Sequence, residues 1–395
     1  MKRNELSHAV RQSLTRLPAP HASHYGVVPA APPEQGVVIT DVARRHELAV
    51  QAMAAVDVYA RTLSDPFVVS RILTRQEAVS SSAIEGTQST LDELLTEEET
   101  HDEDGRAQVR QVKAYAAALE AHVRRARRLG PEVFTQDLVG QLHRKIMRGD
   151  PDYPDRPGRI RDVTVWIGTG GIAYSTFNPP PAANVAACLA DNVSYMQAQG
   201  LHAQQQSLLT RMAIAHSHFE AVHPFRDGNG RVGRLLLPMM MAAEGRTPLY
   251  LAPYIEANKP AYYTALKASQ QKLDWPAMVG FLSDAVVGST NELMKTREAL
   301  LRLEAKWEAR RVYRGGSSSL RALKLLPQYP VVTIARLAEL LKVSVTSAAT
   351  AVDQLQSARI LKERTGYARN RVFFASEALS ILNRPFGADP ILPRR

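Results

Sequence analysis

Residues 223–234 read HPFRDGNGRVGR, bringing an imidazole, a carboxylate, guanidinium groups and glycines together in one short stretch. Asn-Gly and Asp-Gly are hairpin turn signals, but both flanks carry helical spacing rather than strand alternation. The stretch therefore reads as a loop opening into a helix N-terminus. Backbone N–H groups made accessible by Gly228 and Gly230 would form a nest for an anion. Asn229 suits a helix start, where its side chain can cap an open donor. Arg231 and Arg234 are three residues apart and fall on one helical face beside the nest. Asp227 would repel a bare phosphate, and Mg²⁺ shared by its carboxylate and phosphate oxygens removes that conflict. His223, near the end of the preceding helix, is placed to act as a base on a nucleophile approaching the phosphorus. Together these residues describe a nucleotide phosphate site. No Walker A motif is present, which excludes an ordinary P-loop NTPase.

The elements around this loop are mostly helical. Leu208, Met212, Ala215, Phe219 and Val222 form a stripe leading into His223, and a second helix is expected over 231–243. Other helices are expected over 41–62, from SDPF at 64–67 to SSSAIEG at 80–86, and over 106–129, 134–148, 259–272, 275–287 and 289–313. Residues 17–36, rich in Pro and Ala, read as extended chain on a surface. Val163, Val165 and Ile167 alternate with polar or exposed positions before GTGG, which predicts a β-hairpin over 163–176. Residues 85–104 hold nine acidic side chains and no Lys or Arg, the pattern of a solvated loop or frayed helix.

Composition sets wider bounds. With 395 residues, 45% hydrophobic and 22% charged, the chain is ordinary globular protein with two or three domains, not collagen-like or disordered. Cys188 is the only cysteine, so neither an intrachain disulfide nor a cysteine zinc site can form. The N-terminus lacks a signal-peptide core, and the apolar run at 235–243 is too short to span a bilayer and contains Pro238. A soluble, cytoplasmic protein with no membrane partner is expected.

Read as a family signature, residues 223–234 resemble the Fic family motif His-x-Phe-x-(Asp or Glu)-Gly-Asn-Gly-Arg-x-x-Arg. His223, Phe225, Asp227, Gly228, Asn229, Gly230, Arg231 and Arg234 all match. HSHFEAVHPF before it, NPPP after the expected hairpin, and LYLAPYIEANKPAYYTAL at 249–266 extend the similarity, which runs from about residue 40 to beyond 370. The resemblance implies protein AMPylation, the transfer of AMP from ATP to a Ser, Thr or Tyr hydroxyl of a target protein or of the chain itself. His223 would be the base and Asp227 the Mg²⁺ ligand. The Gly228–Gly230 backbone, Arg231 and Arg234 would hold the phosphates. Tyr262 and Tyr263 resemble paired tyrosines near the base and ribose, with Gln270 where some relatives carry Asn. The hairpin at 163–176 matches the family's flap, whose edge can pair with an extended target segment.

Ser81-Ser82-Ala83-Ile84-Glu85-Gly86 resembles the family's inhibitory motif, (Ser or Thr)-x-x-x-Glu-(Gly or Asn). On that resemblance Glu85 pairs with Arg234 and occupies the guanidinium that the γ-phosphate needs. The same Glu could orient water for removal of AMP.

The last quarter of the chain has a different character. Residues 302–395 hold 17 basic and 7 acidic side chains and so carry the whole net charge of +10. Beyond GGSSS at 315–319, read as a flexible linker, Thr333 and Ser344 can cap two helices joined at 342–344, followed by a wing around Arg364–Phe374. Arg364, Arg369 and Arg371 on that wing suit phosphate contact, so DNA is a candidate partner. The second helix, TSAATAVDQLQSA, has no basic residue to supply an Arg–guanine contact, and winged helices also serve as protein docking surfaces, so both partners stay open.

The expected architecture is mainly α: a Fic-type helical core with a β-hairpin flap, plus a C-terminal winged helix-turn-helix domain. Its parts are an N-terminal helical region (1–105) carrying the inhibitory motif, the catalytic core (106–288), a linker helix and linker (289–319), and the winged module (320–395). A regulated adenylyltransferase using ATP and Mg²⁺ leads. A nucleotide-sensing DNA-binding regulator, or a transferase for another phosphate-containing group, are the alternatives. A homodimer stays open.

Overall fold

The computed structural model describes residues 1–62, 71–100, 106–148, 150, 153–364 and 371–393. Its helices, in chain order among the described residues, begin with α1 (His8–Gln12), α2 (Ala43–Thr62), α3 (Arg71–Ile84), α4 (Leu91–Thr100), α5 (Ala107–Leu129) and α6 (Gln136–Met147). They continue with α7 (Ala182–Met196), α8 (His202–Gln205), α9 (Leu208–Val222), α10 (Asn229–Ala243), α11 (Ala252–Ala257) and α12 (Lys259–Lys272). The last are α13 (Trp275–Glu308), α14 (Ser318–Leu325), α15 (Ile334–Leu341), α16 (Val345–Ser357) and α17 (Ser376–Leu382). No helix among the described residues is long and apolar enough to cross a membrane.

Helix α9 lies at the centre, and every residue from Leu209 to Val222 is buried. Ser207 caps it, accepting from the Thr210 N–H at 3.1 Å. Helices α7, α10, α12 and α13 pack around it, so the end from which the next loop leaves is fixed.

Two helices expected over 275–287 and 289–313 are one. An apolar stripe runs through Met278, Leu282, Val286, Leu293, Leu300 and Trp307, all buried, and Gly288 does not interrupt it. The far end is fixed where Trp307 Nε1 donates to Glu377 Oε2 at 2.6 Å. The unbroken helix thus joins the core to the C-terminal part. GGSSS adds only a short turn, because Ser317 already caps α14.

The acidic run also differs from expectation. Thr90 and Glu93 form a capping box, with each side chain accepting from the other's backbone N–H at 3.1 and 3.0 Å. The resulting α4 buries Leu91, Leu94 and Leu95. Its carboxylates meet arginines from elsewhere: Glu98 pairs with Arg71 and Arg75, and Asp92 with Arg364. Those partners lie far away in sequence, so a local charge count could not find them. The start of the expected helix at 64–67, acidic residues 102–104 and Arg369 lie outside the described residues.

Strands are few. β1 (Leu14–Arg16) pairs antiparallel with β2 (Tyr25–Val27), within and beside the Pro- and Ala-rich stretch read as extended chain. β3 (Val331–Thr333), β4 (Lys362–Glu363) and β5 (Val372–Phe374) form an antiparallel sheet in the order β3-β5-β4. Thr333 and Ser344 cap α15 and α16, as their sequence positions suggested. The hairpin expected over 163–176 is reduced to one bridge, Ile167 to Phe177. Gly168, Gly170 and Gly171 take positive φ, and a 3₁₀ turn at Ile172–Tyr174 replaces the return strand.

Candidate active site

His223 ends α9 in the left-handed conformation (φ 48°, ψ 64°), with its N–H donating to Phe219 O at 3.0 Å. A non-glycine residue there is held by its surroundings. Buried Arg161 supplies the hold, donating to the carbonyls of His223, Val163 and Pro180 at 2.8, 2.9 and 2.8 Å. Burial, then the positive charge of Arg161, pushes the His223 imidazole down to about 4. The ring is therefore neutral at ordinary pH and can accept a proton. Its Nδ1 is buried and has no hydrogen-bond partner.

The loop after His223 is stapled from within. Asn229 Oδ1 accepts from Phe225 N, and Asn229 Nδ2 donates to Phe225 O, both at 2.9 Å. Both ends of the Asn229 amide are thus spent on the loop. Phe225 is fully buried and stacks on His143, with ring centroids 3.8 Å apart. His143 Nδ1 accepts from Gly158 N at 2.8 Å, which leaves Nε2–H to donate to Asp227 O at 2.9 Å. Gly228 is left-handed (φ 78°) at the start of α10, and a Cβ there would strike Met147 Sδ at 2.7 Å.

Asp227 stays open. Its side chain is 63% exposed, with Oδ1 accepting from Gly228 N at 2.6 Å and Oδ2 lying 3.8 Å from Arg231 Nη2. No group of three or more His, Cys, Asp or Glu among the described residues could hold a metal unaided. A single exposed carboxylate beside a phosphate nest suits Mg²⁺, which takes one or two carboxylates and completes its shell with phosphate oxygens and water.

The two arginines differ. Arg231 is buried, and its Nε has no hydrogen-bond partner. Arg234 is fully engaged by α3: Nε donates to Ser81 Oγ and Nη2 to Ser81 O, both at 2.9 Å, while Nη2 meets Glu85 Oε1 at 2.6 Å. Burial works to raise the Glu85 pKa. Arg234, assisted by Arg231 and His223, outweighs it and holds the carboxylate below its usual range. Glu85 also lies over the nest, so a Cβ on Gly230 would collide with its Oε1. Lys259 Nζ donates to Ile84 O at 2.5 Å and pins the end of α3.

Tyr262 and Tyr263 differ in exposure but stay in contact, with ring centroids 5.4 Å apart. Tyr262 is buried with its hydroxyl 2.7 Å from His216 Nε2, whereas Tyr263 is 45% exposed beneath the Lys259 ammonium. Arg161, His143 and Lys259 did not emerge from sequence reasoning. Only RPGRIRD, next to the expected flap, hinted at the first.

Residues 43–124 match the model of the Fic/DOC family N-terminal region, and residues 133–241 match that of the Fic/DOC family. The protein adenylyltransferase fic-1 of Caenorhabditis briggsae is 34% identical over 135 residues, covering 34% of this chain and 24% of that protein. The probable protein adenylyltransferase aq_aa38 of Aquifex aeolicus is 26% identical over 201 residues, covering 50% of this chain and 56% of that protein. The chain thus spans about a quarter of the nematode relative's length and about half of the other's. Among solved structures, a Fic family protein from Desulfovibrio desulfuricans superposes with a TM-score of 0.53 at 18% identity, over 88% of this chain and 98% of that one. A Fic domain containing signaling protein from Bacteroides thetaiotaomicron gives 0.50 at 19% identity, over 64% and 96%. Residues 43–241 thus carry, side by side, the N-terminal region and the domain of the Fic/DOC family, in a fold shared with a solved Fic family protein.

Proposed function

We propose that this protein transfers AMP from ATP to a Ser, Thr or Tyr hydroxyl of a target protein, and that Glu85 restrains the reaction. The observation that carries this reading is a neutral, buried imidazole one loop away from a glycine turn with an open carboxylate and an arginine whose Nε has no hydrogen-bond partner. His223 takes the proton of the hydroxyl as its oxygen attacks the α-phosphorus. The bond from that phosphorus to the bridging oxygen breaks, and pyrophosphate leaves. Backbone N–H groups of the Gly228–Gly230 turn and the Arg231 guanidinium stabilise the charge that builds on the phosphates. Mg²⁺ held by Asp227 would neutralise further phosphate charge. Tyr263, the exposed member of its pair, is the residue left to approach the nucleoside. The bridged segment at 167–177 lies next in line for the target.

Arg234 is the proposed γ-phosphate clamp, and Ser81 with Glu85 occupies it. A triphosphate entering against this contact adopts a pose that turns the wrong face of the α-phosphorus to the hydroxyl, and small errors in pose are costly. Incubation with ATP labelled at the α-phosphate tests the transfer. Label should pass to protein from the α position and not from the γ position. Transfer of γ label instead would point to a phosphoryl transferase.

A second reading concerns the C-terminal part. Two capped helices and a three-stranded sheet in the order β3-β5-β4 support a winged helix-turn-helix. Arg364 is bonded to Asp92 and Thr96, and Arg371 to Glu363. Both described wing arginines thus have partners within the chain, which favours docking onto α4 over DNA binding. A mobility shift that appears at low salt and disappears at high salt would reverse that preference.

A further inference from the structure

Arg161 is 4% exposed and sits where separate stretches of backbone converge. Its Nε donates to His223 O at 2.8 Å, and Nη1 to Val163 O at 2.9 Å. Nη2 donates to Pro180 O at 2.8 Å and to Val222 O at 3.4 Å. The backbone N–H of Arg161 adds a bond to Pro224 O at 3.0 Å. One residue therefore holds the end of α9, the turn at the base, and both ends of the 163–180 segment.

Each of these side-chain bonds goes to a backbone carbonyl. Burying a guanidinium among neutral partners is costly, and here it draws the group down to about 10. A fixed fork of donors that reaches several acceptors at once offsets that cost. Val222 and His223 carry the last carbonyls of α9, which lack partners within the helix and concentrate negative partial charge. The charge thus meets the helix end, and the fork holds His223 in its left-handed turn. The return limb of the segment is tied elsewhere: Val27 N of β2 donates to Asn178 O at 2.9 Å, and Gln271 Nε2 to Thr176 O at 2.7 Å. Arg161 is the point where the segment and the base share one set of bonds.

We infer that Arg161 is a positioning residue for the transfer: it sets the backbone turn that aims His223 and clamps the target-lining segment to that turn, so base and segment keep one geometry. The inference rests on the proposed reading of His223 as the base and of the segment as the seat of the target. It makes two separable demands on the side chain. The fork fixes geometry. The positive charge, which the imidazole meets together with the carboxylates of Glu85 and Asp227, opposes protonation of the ring. Lysine keeps the charge and loses the fork; methionine loses both.

The test compares Arg161→Lys with Arg161→Met in the full chain, both in the Glu85→Gly background, read as self-modification with ATP labelled at the α-phosphate. Both should lower the rate at saturating ATP by about 10- to 100-fold, with KM for ATP changed less than about twofold. In Arg161→Met the rate should also fall off at a pH higher by about half a unit or more than in Arg161→Lys, since loss of the positive charge raises the imidazole pKa. A side chain that only stabilised the fold would move melting temperature, ATP affinity and rate together and leave the two pH profiles alike. Full rate in Arg161→Lys, a KM for ATP that rises in step with the loss of rate, or coincident pH profiles would overturn the inference. Arg161→Lys alone decides through the split between rate and KM where Arg161→Met does not fold. NMR titration of the histidine-labelled chain, with the His223 signal assigned by its loss in His223→Ala, reads the charge effect without any transfer. A midpoint raised in Arg161→Met but not in Arg161→Lys, in a protein that transfers no AMP, would sink the proposed activity and leave the clamp standing. No shift in a protein that does transfer AMP would sink the clamp alone.

Discussion

The two sides of α3 are built on opposite plans. Toward the nest, Ser81 and Glu85 take three hydrogen bonds from one fully buried guanidinium, and the contact leaves no room for a Cβ on Gly230. Toward the C-terminal part, Val79 and Ser80 line a cavity, and Gln76 Nε2 donates to Leu382 O at 2.8 Å. One helix thus meets the proposed phosphate clamp through an ion pair and borders open space on its other side. A restraint that must be releasable needs this asymmetry. Tight packing on both sides would fix α3 in place, and looseness on both would leave Arg234 free.

Changes at four positions or conditions separate these roles. His223→Ala removes the base and should lower transfer by about 10²- to 10⁴-fold, after which no change in α3 should have any effect on rate. Glu85→Gly breaks the locked side. Loss of a charge-assisted bond worth about 1.5–3 kcal/mol should raise transfer by about 10- to 100-fold, read as initial rates of α-label incorporation. Ser81→Ala removes the guanidinium's bond to a neutral hydroxyl and keeps the ion pair, so it should raise transfer by less, about 2- to 10-fold. Equal effects for Ser81→Ala and Glu85→Gly would show that the helix position, not the charge, does the blocking. The smallest effect is that of pH. His223 is held down to about 4, so its neutral form persists well below the usual histidine value of about 6.5. The rate limited by this base should change less than about twofold between pH 8 and pH 6 and fall only as pH drops toward 4. A midpoint near 6.5 would mean that the imidazole is solvated in the working enzyme.

The local geometry of residues 223–234 was legible because its parts are contiguous: helix end, glycine turn and new helix start follow from local spacing alone. Ser81 and Glu85 were legible only through resemblance, since nothing in SSSAIEG itself points to Arg234, 149 residues away from Glu85. Arg161, His143 and Lys259 were not legible. Each acts by bonding a backbone carbonyl brought near by folding, and such partners leave no pattern in sequence. The same reason explains α4, whose acidic surface looked solvated until Arg71, Arg75 and Arg364 met it. Tyr262 and Tyr263 show the converse limit: adjacency in sequence did not reveal that one is buried and the other 45% exposed.

The proposed nucleotidyl transfer, held back by Glu85, is tested most directly by the intact mass of three proteins after incubation with ATP and Mg²⁺. Wild type should gain little, Glu85→Gly should gain one or more AMP moieties, and Glu85→Gly with His223→Ala should gain none. A Glu85→Gly protein no more modified than wild type, or a gain that survives loss of His223, would contradict it.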